Sequence, residues 1–212
     1  YTNPGLAIGY TQTTVNPNPG TALSIRGTTT TSGSGVLFVT GSSTTKLLTI
    51  SSEVSSSILV VSGSGNVAIG NLALVSNTVD NNVAVGRESL RFNTSGVSLT
   101  AVGYESAWTN STGNNNTAIG FRALHNNTTG SDNTAIGQGA LFYNTTGNFN
   151  TSVGRTALSS NVVGSSNNAF GFKALYANTT NNNNAFGYFA LLSNTTGTNN
   201  SAFGHKSLQN NT

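Results

Sequence analysis

The feature that most constrains this chain is a glycine that recurs every 16 or 17 residues through the last two-thirds of the sequence. These glycines are Gly70, Gly86, Gly103, Gly120, Gly137, Gly154, Gly171, Gly187 and Gly204. Each lies in a copy of one motif, of which Asn116-Thr117-Ala118-Ile119-Gly120 is a clear example. Self-similarity at a fixed short period predicts a repeat architecture, in which each unit buries its apolar face against its neighbours.

The length and composition of the repeat favour short strands over helices. Seventeen residues are too few for two ordinary helices, and Asn, Thr and Gly are poor helix formers. We therefore predict an all-β fold, a parallel β-roll or β-helix solenoid of about nine coils of 16–17 residues. Coil then stacks on coil about 4.8 Å apart, so that equivalent residues form columns along the axis.

One place in the repeat, directly before the glycine, is always apolar. We expect this apolar residue and a Leu four residues after the glycine to form the dry interior of the coil. A small residue, Ala in all copies but one, precedes it and lets neighbouring backbones approach closely. The predicted core column consists of Ile69, Val85, Val102, Ile119, Ile136, Val153, Phe170, Phe186 and Phe203.

An asparagine stands seven residues after every motif glycine. Asparagine tolerates left-handed turn geometry and can hydrogen-bond its own backbone, and stacked copies can bond one another as a ladder. The predicted structural ladder consists of Asn77, Asn93, Asn110, Asn127, Asn144, Asn161, Asn178, Asn194 and Asn211.

The repeats resemble those of a known family of fibrous proteins. Asn66-Val67-Ala68-Ile69-Gly70 and Asn82-Val83-Ala84-Val85-Gly86 are similar to the head repeats of trimeric autotransporter adhesins, and similar repeats occur in phage tail fibres and related virion fibres. The resemblance covers about residues 65 to 212, although the family's usual repeat is a few residues shorter. It implies a homotrimer of left-handed parallel β-rolls on a virion or bacterial surface, with no catalytic residues to carry over.

The chain before the repeats divides into two parts. Residues 1–20 are predicted to be a degenerate leading coil or cap, since Leu6-Ala7-Ile8-Gly9 matches the motif before two prolines break it. Residues 21–64 carry short apolar runs between Ser, Thr and Gly, and therefore predict short strands. These runs are Ala22–Ile25, Val36–Val39, Leu47–Ile50 and Ile58–Val61. The segment resembles the β-rich shaft or connector of phage fibres; a small sheet packed on the end of the β-roll repeat region, 65–212, is the alternative.

Composition limits the partners of the chain. Charged residues make up 6% of it, against about a quarter in ordinary domains, which suits a wet, uncharged fibre. The net charge of +3 comes from 8 basic and 5 acidic residues that do not cluster along the sequence, so we expect no nucleic-acid partner. No apolar stretch is long enough to span a membrane. The absence of Cys excludes disulfides and thiolate metal sites.

Two acids and four aromatic residues are the candidates for chemistry or binding. Glu88 and Glu105 share the second place after the glycine in successive coils, so their backbones should lie roughly 5 Å apart. Such a pair can support retaining glycoside hydrolysis or hold a cation, but solvated surface acids beside arginines are the alternative that we favour. The aromatic residues, which form either a seam between chains or a surface that stacks on glycans, are Tyr104, Phe121, Phe172 and Tyr188.

These features predict a structural fibre segment of a phage virion or bacterial surface that attaches to a host surface through many weak contacts. We expect no enzymatic activity, no cofactor, and a location on a virion or cell surface, with host-surface glycans or proteins and other fibre proteins as partners. His125 and His205 occupy different places in the repeat and predict no metal site. The alternatives are an adhesin head, a tailspike-like polysaccharide hydrolase and an ice-binding β-solenoid, although Thr lies mainly in the turns.

Overall fold

The computed structural model of the protein describes residues 65–212 and, before them, two short strands at 49–50 and 59–61. All of these belong to one compact unit, Leu47–Thr212. The described residues form strands and turns, and no helix. The strands are β1 (Thr49–Ile50), β2 (Leu59–Val61), β3 (Val67–Ile69), β4 (Val83–Val85), β5 (Thr100–Val102), β6 (Thr117–Ile119), β7 (Thr134–Ile136), β8 (Thr151–Val153), β9 (Asn168–Phe170), β10 (Asn184–Phe186) and β11 (Ser201–Phe203).

Strands β3 to β11 confirm the predicted parallel β-solenoid. Each pairs in parallel with the next, and equivalent residues face each other, as Ala118 faces Ala135 between β6 and β7. Because consecutive strands lie one repeat apart, every coil adds one strand to a single sheet that runs along the axis. The strands β1 and β2 fall within two predicted apolar runs and extend this sheet by antiparallel pairing, β2 with β3. The leading coil or cap at 1–20 and most of the segment 21–64 lie outside the described residues.

The predicted core column is wrong about the side of the strand that faces inward. Each strand has three residues, and side chains alternate between the two faces of a strand. The middle residue points into the coil and the other two point out: Ala118 is 1% exposed, whereas Ile119 is 38% exposed. None of the column Ile69, Val85, Val102, Ile119, Ile136, Val153, Phe170, Phe186 and Phe203 is buried. The interior is filled instead by the small Ala column and the Leu column.

The Leu column is the apolar centre of the coil, and its backbone is left-handed. Leu124 and Leu141 are fully buried and have φ angles of 51° and 52°. A branched side chain in this region costs about 1–2 kcal/mol in isolation. The stacked coils hold it there, because the amide of Leu124 donates to the carbonyl of Ala140 in the next coil at 2.9 Å. Left-handed geometry was predicted at the Asn ladder, but the Leu column adopts it instead.

The Asn column does form a hydrogen-bonded ladder inside the coil. The Nδ2 of Asn127 donates to Oδ1 of Asn110 at 2.7 Å, and that of Asn144 donates to Oδ1 of Asn127 at 2.8 Å. The same bond links every step described, from Asn77 to Asn211, except the step from Asn161 to Asn178. There the Oδ1 of Asn161 is buried without a partner among the described residues. The ladder gives the buried Asn side-chain amides hydrogen-bond partners that the surrounding Ala and Leu side chains cannot provide.

A second asparagine column, absent from the sequence prediction, lies four residues before the glycine. The Oδ1 of Asn116 accepts from the backbone amide of Asn133 at 2.9 Å, and its Nδ2 donates to the carbonyl of Gly130 at 2.7 Å. The side chains from Asn66 to Asn183 thus bond the backbone of the following coil, whereas Asn200 in the last coil donates to Asn183 and Asn194. The column is Asn66, Asn82, Asn116, Asn133, Asn150, Asn167, Asn183 and Asn200, with Leu99 in the remaining coil.

Phe149 is strained and offers a test of turn geometry. It is 63% exposed with a φ of 56°, at a place where other coils carry Gly, Asn, Asp or Ser, as Asn182 does with a φ of 61°. Because Asn tolerates this region better than an aromatic residue, Phe149→Asn should stabilise the protein by about 0.5–1 kcal/mol. Urea unfolding measures the change. The reverse exchange, Asn182→Phe, should destabilise; a less stable Phe149→Asn variant would mean that the ring makes stabilising contacts.

Candidate binding surface

The outward face of the sheet carries a continuous apolar stripe. This apolar stripe is the column Ile69, Val85, Val102, Ile119, Ile136, Val153, Phe170, Phe186 and Phe203, which every strand of the solenoid presents to the outside. Its C-terminal part is a stack of phenyl rings: the centroids of Phe170 and Phe186 are 4.7 Å apart, and those of Phe186 and Phe203 are 4.9 Å apart. A long, partly exposed apolar stripe marks a surface for association.

The four aromatic residues proposed as a seam or a glycan-stacking surface lie beside the apolar stripe in two separate stacks. Tyr104 and Phe121 are parallel with centroids 5.4 Å apart, and Phe172 and Tyr188 are 5.3 Å apart. The guanidinium of Arg87 lies 5.6 Å from the Tyr104 ring centroid, on top of the first stack. Because the rings cover each other's faces, the stacks present mainly ring edges, which suit packing between chains better than stacking on sugar rings.

Glu88 is not a solvated surface acid, because it is buried beneath cations. It is 6% exposed, and its carboxylate accepts from Arg91 at 2.7 Å and from Arg87 at 3.1 Å. The indole N–H of Trp108, one coil further on, donates to the same carboxylate at 3.3 Å. The hydrogen bond from Arg91 is the main cause that lowers the pKa of Glu88, while burial opposes it.

Glu105 is held in the same way in the next coil. The Nε of Arg122 donates to its carboxylate at 2.6 Å, and the Nε2 of His125 lies 3.3 Å away. Burial raises the pKa of Glu105, but the Tyr104 hydroxyl and the Arg122 guanidinium lower it by more, so the net pKa is lowered. Both acids are therefore ionised and neutralised by neighbours. The expectation that they are solvated surface acids is wrong, because the expected arginines, together with Trp108 and His125 of the following coils, cover both carboxylates.

The two ion-paired acids predict acid sensitivity. Both pKa values are lowered from 4.5 in the folded state. The ion pairs therefore stabilise the protein fully above that value, and this contribution is lost as the pH falls through the lowered pKa values. We expect the melting temperature to drop between about pH 5 and about pH 3. The variant Glu88→Gln/Glu105→Gln should show a smaller drop in circular dichroism melts, and an equal drop would contradict the assignment.

A further aromatic column lies next to these acids, and two of its members contact the carboxylates of Glu88 and Glu105. The rings of Trp108, His125 and Phe142 are stacked in three consecutive coils, with centroid distances of 5.0 Å at both steps. All three stand five residues after a motif glycine, and that spacing was the sequence signal that could have revealed the stack. The stack holds the His125 ring where it meets Glu105.

Comparison with known proteins gives no further guide to the function of this surface. No protein-family model matches the sequence, and neither the curated proteins nor the solved structures contain a match. Within the part of the chain that the structure describes, no helix is long and apolar enough to cross a membrane. In that same part, no three His, Asp or Glu side chains come together as a metal-binding group.

Proposed function

We propose that this chain is a trimeric structural fibre segment of a phage virion or bacterial surface, which attaches to a host surface through repeated weak contacts. The observation that carries the proposal is the apolar stripe. It runs along strands β3 to β11 on the outer face of the sheet, where the chain itself leaves every residue of it at least partly exposed. Three copies that bring their stripes together would bury it along a common axis. An adhesin head on a bacterial surface is the alternative within this class.

The energetics of the stripe support association. A large aliphatic or aromatic side chain gains about 1.5–3 kcal/mol on full burial. Ile119 and Ile136 are already about three-fifths buried by their own coil, so each gains about 1 kcal/mol on closing the seam. Repeated along the nine coils, such gains reach the size of the entropic cost of association, about 4–15 kcal/mol. The stacked rings beside the stripe offer edges for the same contact.

The hydrolase alternative loses support at Glu88 and Glu105. A retaining hydrolase needs one carboxyl group that holds a proton near neutral pH, and such a group has a raised pKa. Here the pKa values of both acids are lowered, and each carboxylate is occupied by an arginine. Cleavage of bacterial polysaccharides by the purified chain, and its loss in Glu88→Gln, would reinstate this alternative.

The ice-binding alternative loses support in the turns. The hydroxyls of several turn threonines are already hydrogen-bonded within the fold. That of Thr128 donates to the carbonyl of Thr145 in the next coil at 3.0 Å, and that of Thr145 donates to the carbonyl of Val162 at 3.1 Å. On the outer face of the sheet, a Thr column is limited to Thr100, Thr117, Thr134 and Thr151. An assay of thermal hysteresis tests this alternative directly, and we expect none.

Charged substitutions in the stripe test the seam. In Ile119→Lys/Ile136→Lys, both changed side chains point out of the coil, so the β-sheet circular dichroism should be unchanged. Sedimentation should show that the trimer has dissociated to single chains. The matched control is Thr112→Lys/Thr129→Lys, which places the same charges on exposed turn residues of the repeat region. If the stripe variant keeps its trimeric mass, or if both variants lose it, the stripe is not the seam.

Attachment itself requires a separate test. The labelled trimer should bind the host bacterial surface much more tightly than the dissociated Ile119→Lys/Ile136→Lys chain, because three linked sites raise avidity by about 10²-fold or more. Equal binding by the trimer and the single chain would argue against multivalent attachment. No binding by either would argue for a purely structural role.

A further inference from the structure

The described part of the solenoid separates its charges across the sheet. Every Lys and Arg of residues 65–212 follows its strand, and the exposed acids Asp80 and Asp132 precede theirs. We call the places one and two residues after the motif glycines the cationic edge. It holds Arg87, Arg122, Arg155, Lys173 and Lys206, together with the buried Glu88 and Glu105.

Backbone hydrogen bonds keep the cationic edge aligned from coil to coil. The amide of Lys173 donates to the carbonyl of Arg155 at 3.1 Å, and that of Lys206 donates to the carbonyl of Tyr188 at 2.8 Å. The residues therefore stand above one another along the axis, although they are scattered in the sequence. Because they lie one or two repeats apart in the sequence, they form no basic cluster along it.

The N-terminal part of the edge is neutralised, whereas the C-terminal part is not. Glu88 and Glu105 are buried under Arg91 and Arg122 at 2.7 and 2.6 Å. By contrast, no acid among the described residues lies within 4.0 Å of Arg155, Lys173 or Lys206. Arg155 and Lys206 are exposed, and Lys173 is half-buried against aromatic rings, with its Nζ 5.6 Å from the Phe172 centroid.

We propose that the C-terminal part of the cationic edge binds a linear acidic polysaccharide whose chain runs along the solenoid axis. Lys173 follows Arg155 by one coil, about 5 Å, and Lys206 follows Lys173 by two coils, about 10 Å. Isolated positive charges at such intervals match a polymer that carries an acidic group on every sugar unit or on every second one. The proposal deepens the attachment function by naming the ligand class, but this binding does not require the trimer.

Nucleic acid fits the same edge less well. Duplex DNA carries one charge per about 1.7 Å along its axis, which is several times denser than these cations. Single-stranded nucleic acid is held by base stacking on exposed aromatic faces. Here the neighbouring rings of Phe172, Tyr188 and His205 cover one another, with centroids 5.3 Å apart at each step.

Binding of defined polymers to the full chain tests the proposal. The probes are polygalacturonate for carboxylates, heparin for sulfates, teichoic acid for phosphodiesters, neutral dextran, and single-stranded DNA. Lys173→Gln/Lys206→Gln removes two charges from the edge. The matched control, Asn81→Asp/Asn182→Asp, changes the net charge equally at exposed places before the strand, where Asp132 shows that Asp is tolerated.

We expect at least one acidic glycan to bind more tightly than dextran and DNA, with an affinity that falls as salt is added. The edge variant should weaken this binding about tenfold, on the scale of two exposed ion pairs, and the control should change it less than about twofold. Equal weakening by the two variants, binding no better than dextran, or tighter binding of DNA would overturn the proposal. If the protein binds an acidic glycan as a monomer, the proposed trimer is contradicted but the proposed glycan site is not.

Discussion

Gly120→Ala is expected to unfold the middle of the solenoid, with a loss of at least about 3 kcal/mol in the free energy of unfolding. A Cβ at Gly120 would lie 2.7 Å from the carbonyl carbon and oxygen of Gly137 in the next coil. Neither backbone can move away, because the amide of Gly137 donates to the carbonyl of Ile119 at 2.7 Å. The glycine column is therefore what allows coils to approach to hydrogen-bonding distance.

The last coil supplies the matched control for this prediction. Gly204 shares the unusual backbone of Gly120, with φ angles of 115° and 133°, but a Cβ at Gly204 would meet no atom within 4 Å. Gly204→Ala should therefore cost only the backbone strain, about 1–2 kcal/mol. Urea unfolding followed by circular dichroism compares the two. Equal losses would show that strain alone matters and that the coils are not packed as tightly as described.

Asn127→Ala is expected to cost about 3 kcal/mol of stability. Asn127 is fully buried, and its Nδ2 donates to Asn110 at 2.7 Å and to the carbonyl of Gly130 at 2.8 Å. Its Oδ1 accepts from Asn144 at 2.8 Å. Truncation removes all three bonds at once in an interior that excludes water. Asn116 still donates to Asn110 and to the Gly130 carbonyl, but the Nδ2 of Asn144 keeps only its bond to the Gly147 carbonyl.

Asn211→Ala separates the ladder effect from the loss of an amide. Asn211 stands at the same place in the last coil, where it is partly buried and donates to Asn194 at 3.0 Å. This substitution should cost about 0.5–1 kcal/mol. Hydrogen exchange at the amides of Asn144 and Thr145, which donate to Leu141 and Val162, should rise strongly in Asn127→Ala. Unchanged exchange there, together with a stability loss no larger than that of Asn211→Ala, would show that the ladder adds little to the coil.

The period of the sequence was sufficient to predict the solenoid, because only in-register stacking places equivalent residues together. It also located the Leu column inside the coil and predicted the hydrogen-bonded Asn ladder. It did not reveal that Leu rather than Asn carries the left-handed backbone. That choice depends on hydrogen bonds such as the one from Leu124 to Ala140, which join residues of different coils.

The direction of the apolar column could not be read from hydrophobicity. In Thr117-Ala118-Ile119, Ile is the most apolar residue, and it was assigned to the interior on that ground. The structure shows that a coil of this size packs Ala and Leu inside and turns Ile outward. An apolar side chain indicates a face that needs burial, and a single sequence does not say whether its own coil or another chain provides the cover.

The burial of the two acids was missed for a similar reason. Glu88 and Glu105 were predicted to be solvated surface acids beside arginines, but these neighbours cover both carboxylates. In the solenoid, Arg122 comes to lie against Glu105, 17 residues away. A column places residues one repeat apart in contact, so charge patterning has to be read along the columns as well as along the chain.

The native mass of the protein in solution tests the account most directly. The chain has a mass of 21.6 kDa, and three chains held by their apolar stripes predict 3 × 21.6 = 64.8 kDa. Sedimentation equilibrium or light scattering at micromolar concentration should give this value, with no smaller species. A mass of 21.6 kDa would mean that the stripe stays open to solvent and would contradict the seam and the fibre built on it.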